Sequence, residues 1–170
     1  MAAAMDTAAK DVNQQIGLTT DGSQFLTFQL GEELYGVDIL RVQEIKGYTA
    51  VTRIPNTPAH IKGVLNLRGT IVPIVELRTK FGMPTIDYTM FTVIVVVVVR
   101  EKIMGLVVDA VSDVITLTPD QLRPVPEFNA AIASDHLLAI GALEDRMLIL
   151  LDIEKLMSSA DMGLVNPEKQ

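Results

Sequence analysis

The chain has 170 residues, 49% of them hydrophobic, which suffices for one ordinary domain or two small ones and excludes wholesale disorder. With 14 basic against 21 acidic residues (net −7), 5% aromatics and no Trp, neither a phosphate backbone nor a single strand stacked on rings fits as a partner, so no nucleic acid is expected. Cysteine is absent, which removes disulfides, thiolate catalysis and Cys-based zinc sites together.

Residues 1–23 are small and polar without a sustained period and read as a flexible tail. The start lacks a basic segment followed by an apolar one, and the longest apolar run, Val93 to Val99, is far shorter than the roughly 20 residues of a spanning helix. A cytoplasmic protein without direct membrane insertion is expected. Structure starts at Gln24, where Leu26, Phe28 and Leu30 alternate with polar residues as in a half-buried strand. Gly31-Glu32-Glu33 turns the chain back through Leu34 to Val37. Asp38 is placed to cap one helical turn, Ile39 to Val42, before an extended path resumes at Glu44. Val51 to Ile54 reads as a short strand. Pro55 and Pro58 break it and open a helical turn through Ala59, His60 and Ile61.

Gly63 to Leu77 carries the clearest signal in the chain. Two apolar runs, Val64 to Leu67 and Ile71 to Val75, flank a polar corner at Arg68-Gly69-Thr70, and Gly69 supplies the positive φ that a tight β-hairpin needs. Pro73 cannot donate to a ladder, so its strand is expected at an edge or carrying a bulge. Leu77 to Phe81 reads as a short turn and Gly82 to Met90 as a connection. Thr92 to Val99 is an almost unbroken β-branched run, the pattern of a strand buried on both faces, and its uniformity leaves its register open. Ile103 to Val108 and Ser112 to Leu117 are strands, Pro119 to Pro126 is irregular, and 129–135 is ambiguous with a helical turn preferred. Leu137 to Leu143 and Met147 to Leu151 form a last hairpin, after which Asp152 or its neighbours cap a helix that fades out by about Gly163.

Short strands punctuated at this spacing indicate an all-β sandwich or barrel. An internal repeat sharpens that. Gly36 to Ile45 aligns with Gly105 to Val114 at an offset of 105 − 36 = 69, and Ile71 to Leu77 aligns with Met147 to Ile153 at 147 − 71 = 76. Two copies are too few for a solenoid, so two small barrels side by side with a groove between them are expected.

The sequence offers little for catalysis. His60 and His136 stand at related points of the repeats without acidic neighbours at helical spacing, so no metal site is expected. No nucleophile elbow positions a serine, and Gly63 to Thr70 fails the spacing and the lysine of a phosphate loop. Asp109 and Asp113 read as a solvated face or a helix cap. Glu44 and Arg68, on different strands, bear opposite charge beside Val42, Ile45 and Leu67, and would orient a recognition edge if adjacent. Lys62 and Gly63 precede the hairpin, the glycine allowing close approach of another backbone. Val111, Val114, Arg123 and Phe128 mix apolar and cationic groups in the second repeat.

Three segments, Gln24 to Ile45, Ala59 to Ile74 and Gly105 to Val114, with Asn66-Leu67-Arg68-Gly69 following Ile61-Lys62-Gly63, closely resemble the CheW-like domain family of bacterial chemotaxis coupling proteins. The likeness runs from about residue 24 to 157. It implies a mainly β fold of two intertwined five-stranded SH3-like barrels with short helices, the first roughly 24–90 and the second roughly 91–157, with 158–170 as a closing helix end and tail. It implies no enzyme and no cofactor, but an adaptor between the cytoplasmic tips of methyl-accepting chemoreceptors and the histidine kinase CheA, whose regulatory domain is itself CheW-like. The receptor-facing groove would use Val42, Glu44, Ile45, Lys62, Gly63, Asn66, Leu67 and Arg68. The kinase-facing surface would use Gly105, Val111, Val114, Arg123 and Phe128. Two other readings stay open, a coupling protein for another chemosensory pathway such as twitching motility, and a small-ligand barrel built on Glu44, Asn66 and Arg68.

Overall fold

The repeat is built into two sheets that exchange strands. The computed structural model describes residues 23–125 and 136–158. The first sheet contains β1 (Ser23–Leu30), β2 (Glu33–Asp38), β8 (Ala110–Leu117), β9 (Leu122–Arg123), β10 (Leu137–Ala142) and β11 (Met147–Leu151), in spatial order β8-β1-β2-β11-β10-β9. The second contains β3 (Val42–Gly47), β4 (Ile61–Leu67), β5 (Thr70–Glu76), β6 (Val93–Val99) and β7 (Lys102–Val108), in order β3-β6-β7-β5-β4. The sheets therefore do not follow the division at 24–90 and 91–157, and with the two-residue β9 the first has six strands rather than five. The reason is connectivity. Each sheet contains one parallel pair, β2 with β11 and β5 with β7, and a parallel pair needs a long crossover between its strands. After β2 the chain leaves to lay β3 along β6, and after β7 it returns to lay β8 along β1.

The parallel pairs are equivalent under the repeat. Gly36 lies opposite Leu150, and Gly105 opposite Ile74. A Cβ on Gly36 would stand 2.8 Å from Leu150 Cδ2, and one on Gly105 would stand 2.6 Å from Ile74 Cδ1. Each glycine thus leaves room for the aliphatic side chain of its parallel neighbour. The bulges are related too: Lys62 in β4 and Leu138 in β10 are the extra residues opposite β5 and β11.

Three apolar clusters hold this arrangement. A shared core between the sheets joins Leu26, Phe28, Leu30 and Val37 to Val75, Val95, Val97 and Leu106, closed by Leu156 and Met157. Each sheet also has its own, around Phe25, Leu117, Leu148 and Leu150 in one and Leu67, Val72, Ile74, Ile94 and Val96 in the other. The β-branched run is thereby explained. In β6, Val95, Val97 and Val99 enter the shared core while Ile94 and Val96 enter that of the second sheet. Its register is fixed by Ile45 opposite Val95 on one side and Gly105 opposite Val96 on the other. For the same reason β1 is buried on both faces from Phe25 to Phe28 rather than on one. Thr27 fits there because its hydroxyl bonds Asp113 Oδ1 at 2.6 Å.

Pro73 sits in an inner strand, not at an edge. It faces Val64, whose amide and carbonyl turn away to Thr52 at 2.8 and 2.9 Å, and the parallel pairing with β7 begins one residue later at Ile74. No partner asks for the missing N–H at that position. Residues 51–54 make one bridge, Thr52 to Val64, instead of a strand, and the expected helical turn is reduced to a single turn at 59–60, closed by Ile61 N donating to the Pro58 carbonyl at 3.0 Å. A 3-10 turn (Ile39–Arg41) follows Asp38, whose carboxylate accepts from Leu40 N at 3.0 Å. Helix α1 (Leu77–Lys80) follows β5, and α2 (Ile153–Ser158) follows β11 with Asp152 Oδ1 accepting from Lys155 N. The expected turn at 129–135 and the helix end near Gly163 lie outside the described residues. Among the described residues no helix is long and apolar enough to cross a membrane.

Candidate interaction surfaces

The β4–β5 hairpin turns at Arg68 (φ 52°) and Gly69 (φ 90°), both in the left-handed region, as a two-residue type I′ loop demands. Asn66 is committed to this corner, its Oδ1 accepting from Gly69 N at 2.8 Å. The turn throws Arg68 toward β3, at the opposite edge of the same sheet. Arg68 Nη2 donates to Glu44 Oε1 and Oε2 at 3.1 and 3.0 Å. The pair is exposed on the arginine side, so it contributes at most about 1 kcal/mol to stability and serves to orient both groups. Ile45, which follows Glu44 in β3, and Ile71, near the start of β5, are 46% and 59% exposed.

The remaining residues predicted around this corner have other positions. Val42 packs on the shared core and Leu67 is buried in the second sheet's own cluster. Gly63 is buried, with φ 150°, and a Cβ there would lie 2.2 Å from the Thr52 carbonyl oxygen. The close backbone approach expected of it is therefore made by residues 52 and 53 of the same chain, not offered outward. Lys62, the bulge residue, holds Nζ 5.1 Å above the Tyr88 ring.

Tyr88 stacks edge-on against Tyr48 and donates its hydroxyl to the buried Glu76 carboxylate. Burial, then the hydrogen bond and charge of Glu76, hold the Tyr88 phenol protonated far above its ordinary range. Tyr88→Phe leaves that carboxylate without this donor and is expected to lower stability by about 1–3 kcal/mol, measurable as a shifted urea midpoint at unchanged slope.

The first sheet presents a related corner. Val114, at Ile45's place in the repeat, is 47% exposed, and Met147, at Ile71's, is 63% exposed. Asp113, at Glu44's place, approaches Arg146 Nη2 at 3.9 Å. Of the other residues predicted for this side, Val111 packs on the shared core. Gly105 is a correction. It lies in the interior of β7 beneath Ile74 and Ile94 and offers no surface, because the fold uses its missing side chain for packing. Arg123 folds back on its own segment, donating to the carbonyls of Asp120 and Leu122. Phe128 lies outside the described residues. Ile71, Met147 and Arg146 were not anticipated as surface groups, although the 76-residue offset already paired Ile71 with Met147; Asp113 is exposed, as its reading as a solvated face expected.

Asp109 also departs from the sequence reading. It is neither a cap nor a solvated acid: Arg78 Nε and Nη2 donate to it at 2.8 and 2.6 Å, and Gly31 N at 2.8 Å. Burial pushes its carboxyl up, but these hydrogen bonds and the Arg78 charge outweigh that and hold it below the usual carboxylate range. The group sits where the chain leaves β7 for β8 and ties α1 to the β1–β2 turn. Among the described residues no three His, Asp or Glu side chains cluster as metal ligands.

The chain is thus a two-sheet β module in which each sheet carries exposed apolar side chains and an arginine–carboxylate pair, Arg68 with Glu44 at 3.0 Å and Arg146 with Asp113 at 3.9 Å. The model of the CheW-like domain matches residues 24–161. The chain is 56% identical over 147 residues to the chemotaxis protein CheW of Klebsiella aerogenes, covering 86% of this chain and 89% of that one. It is 37% identical over 157 residues to a probable chemotaxis protein CheW of Rhizobium etli, covering 92% and 97%. The crystal structure of the scaffolding protein TtCheW from Thermoanaerobacter tengcongensis superposes with a TM-score of 0.75 at 32% identity, over 82% of this chain and 90% of that one. The chain belongs to the CheW-like family of chemotaxis coupling and scaffold proteins.

Proposed function

We propose that the chain is a non-catalytic adaptor that couples the cytoplasmic tips of chemoreceptors to the histidine kinase CheA, and that these contacts recruit it to membrane receptor arrays. The observation that carries this reading is the doubling of the exposed corner. Ile45 with Glu44–Arg68 and Val114 with Asp113–Arg146 stand on different sheets, so two partners can be held at once. The receptor corner uses Ile45, Glu44, Arg68 and Lys62 as contacts, with Asn66, Leu67, Gly63 and Val42 shaping it from below. An apolar face of the receptor's helical tip lies on Ile45 while its polar groups meet the ion pair. The kinase corner centres on Val114, flanked by Arg123 and supported by Val111.

Pull-down against a receptor cytoplasmic fragment and against the kinase separately tests this. Arg68→Glu sets two acids side by side and is expected to weaken receptor binding at least about 10-fold while leaving kinase binding intact. Val114→Asp is expected to do the reverse. Folded variants that lose both partners together, or neither, would overturn the two-face assignment.

A further inference from the structure

Two adjoining cavities of about 610 and 380 Å³ share one wall, formed by Arg53, Ala59, Ile61 and Lys62. The larger lies within the range of roughly 300–1,000 Å³ that encloses small organic molecules. Its walls are held in place. Thr52 N donates to the Val64 carbonyl at 2.9 Å and Val64 N to the Thr52 carbonyl at 2.8 Å, which seats Arg53. Tyr48 N donates to the Thr92 carbonyl at 3.2 Å. The rings of Tyr48 and Tyr88 meet edge-on, 4.3 Å between centroids, and with Val51 supply an apolar side.

The charges of these cavities are separated. The smaller is lined by the cations Arg53 and Lys62 and, among the described residues, by no acid. Glu76 and Asp87 line the larger. Among the described residues neither cation closes an ion pair with these acids or with another carboxylate. Glu76 is only 6% exposed, and Tyr88 donates to its Oε2, whereas among the described residues nothing donates to Oε1. A carboxylate this buried, answered at one oxygen and lining a cavity, calls for a further donor.

We propose that the two cavities bind a small zwitterion, one organic body carrying an ammonium and a carboxylate, with the ammonium on Glu76, the body against Tyr48 and Val51, and the carboxylate on Arg53 and Lys62. A cation alone would leave Arg53 and Lys62 unanswered, and an anion alone would leave Glu76 unanswered. An apolar molecule would take all of these groups out of water without a partner. The planar guanidinium matches a carboxylate at two points, so Arg53 is the main anchor. A ligand of about a dozen heavy atoms corresponds to a dissociation constant of about 1–10 mM. The site does not depend on the adaptor reading, although it draws on Lys62 beside the receptor corner.

Amide-resolved NMR titration of the full chain near neutral pH with phenylalanine, to about 20 mM, tests this. Phenethylamine and phenylpropionate are the companion probes, each lacking one of the two charges. Phenylalanine is expected to give saturable shifts at Tyr48, Val51 and Ile61, and each companion to bind at least about 5-fold more weakly. Arg53→Gln is expected to bring phenylalanine down to the level of phenethylamine without weakening phenethylamine itself, a selective loss that a merely structural change would not produce. Glu76→Gln, which keeps an acceptor for Tyr88, is expected to bring phenylalanine to the level of phenylpropionate. Arg53 is exposed, so its variant should melt with the wild type. Should Glu76→Gln fail to fold, phenylpropionate reads the same contact in the wild type. Absence of saturable shifts at those amides overturns the proposal. So does equal binding of the three probes, which would make the hollow a purely apolar one.

Discussion

Gly63→Ala is expected to lower the free energy of unfolding by about 3 kcal/mol or more, whereas Gly47→Ala, one sheet edge away, should change it by no more than about 0.5 kcal/mol. The contrast follows from what each new methyl group would meet. At Gly47 there is nothing within 4 Å. At Gly63 the Cβ would fall 2.2 Å from the Thr52 carbonyl oxygen and 2.7 Å from its carbon, in a backbone conformation that side chains rarely adopt. Thr52 cannot withdraw cheaply, because its carbonyl accepts from Val64 N and its amide donates to Val64 O. Moving it breaks the bridge that covers Pro73's strand pair. Urea titration of both variants decides the matter. Equal midpoints would mean that residues 52 and 53 move aside freely. A loss of receptor binding at Gly63 would accordingly report a deformed hairpin rather than a removed contact.

Arg78→Met is expected to cost about 3–5 kcal/mol, since it leaves the Asp109 carboxylate mostly buried with only the Gly31 amide to answer it. Removing both charges, Arg78→Met with Asp109→Leu, should recover much of that loss, because an apolar pair needs no desolvated partner. The pair also sets an acid limb. Asp109's folded-state carboxyl is held below its unfolded value, so its contribution is fully present above about pH 4 and fades as the pH falls through the folded pKa. Denaturant midpoints taken between about pH 6 and pH 2.5 should therefore fall more steeply for the wild type than for the doubly apolar variant. Parallel profiles would assign the acid sensitivity to other carboxylates.

These two sites differ in how far they were legible beforehand. Gly63 was readable as a place of close approach, because a glycine inside an apolar strand has few other purposes, but not what approaches it. Asp109 was misread. Beside an apolar strand an aspartate resembles a solvated group, and its partner lies 31 residues away on an element too short to show a period. Pro73 was read correctly as a residue that cannot donate, yet its strand proved internal, because the neighbouring ladder simply begins after it.

Although 51–54 and the short β9 escaped it, the sequence by itself determined most of the strands, the tight turn at Arg68-Gly69 and the twofold repeat. Each of these is local, resting on alternation, on the φ that glycine tolerates, or on comparison of one segment with another. It also carried the resemblance to the CheW-like family, through the run Asn66 to Gly69 and the segments around it. Only the tertiary structure decided which sheet each strand joins, because strand exchange is set by parallel pairs whose partners are separated by a crossover. For the same reason only the structure joined Glu44 to Arg68 and Asp113 to Arg146. Each pair joins a strand residue to an arginine in a hairpin connection well separated from it along the chain, and only the folded sheets bring the side chains within reach.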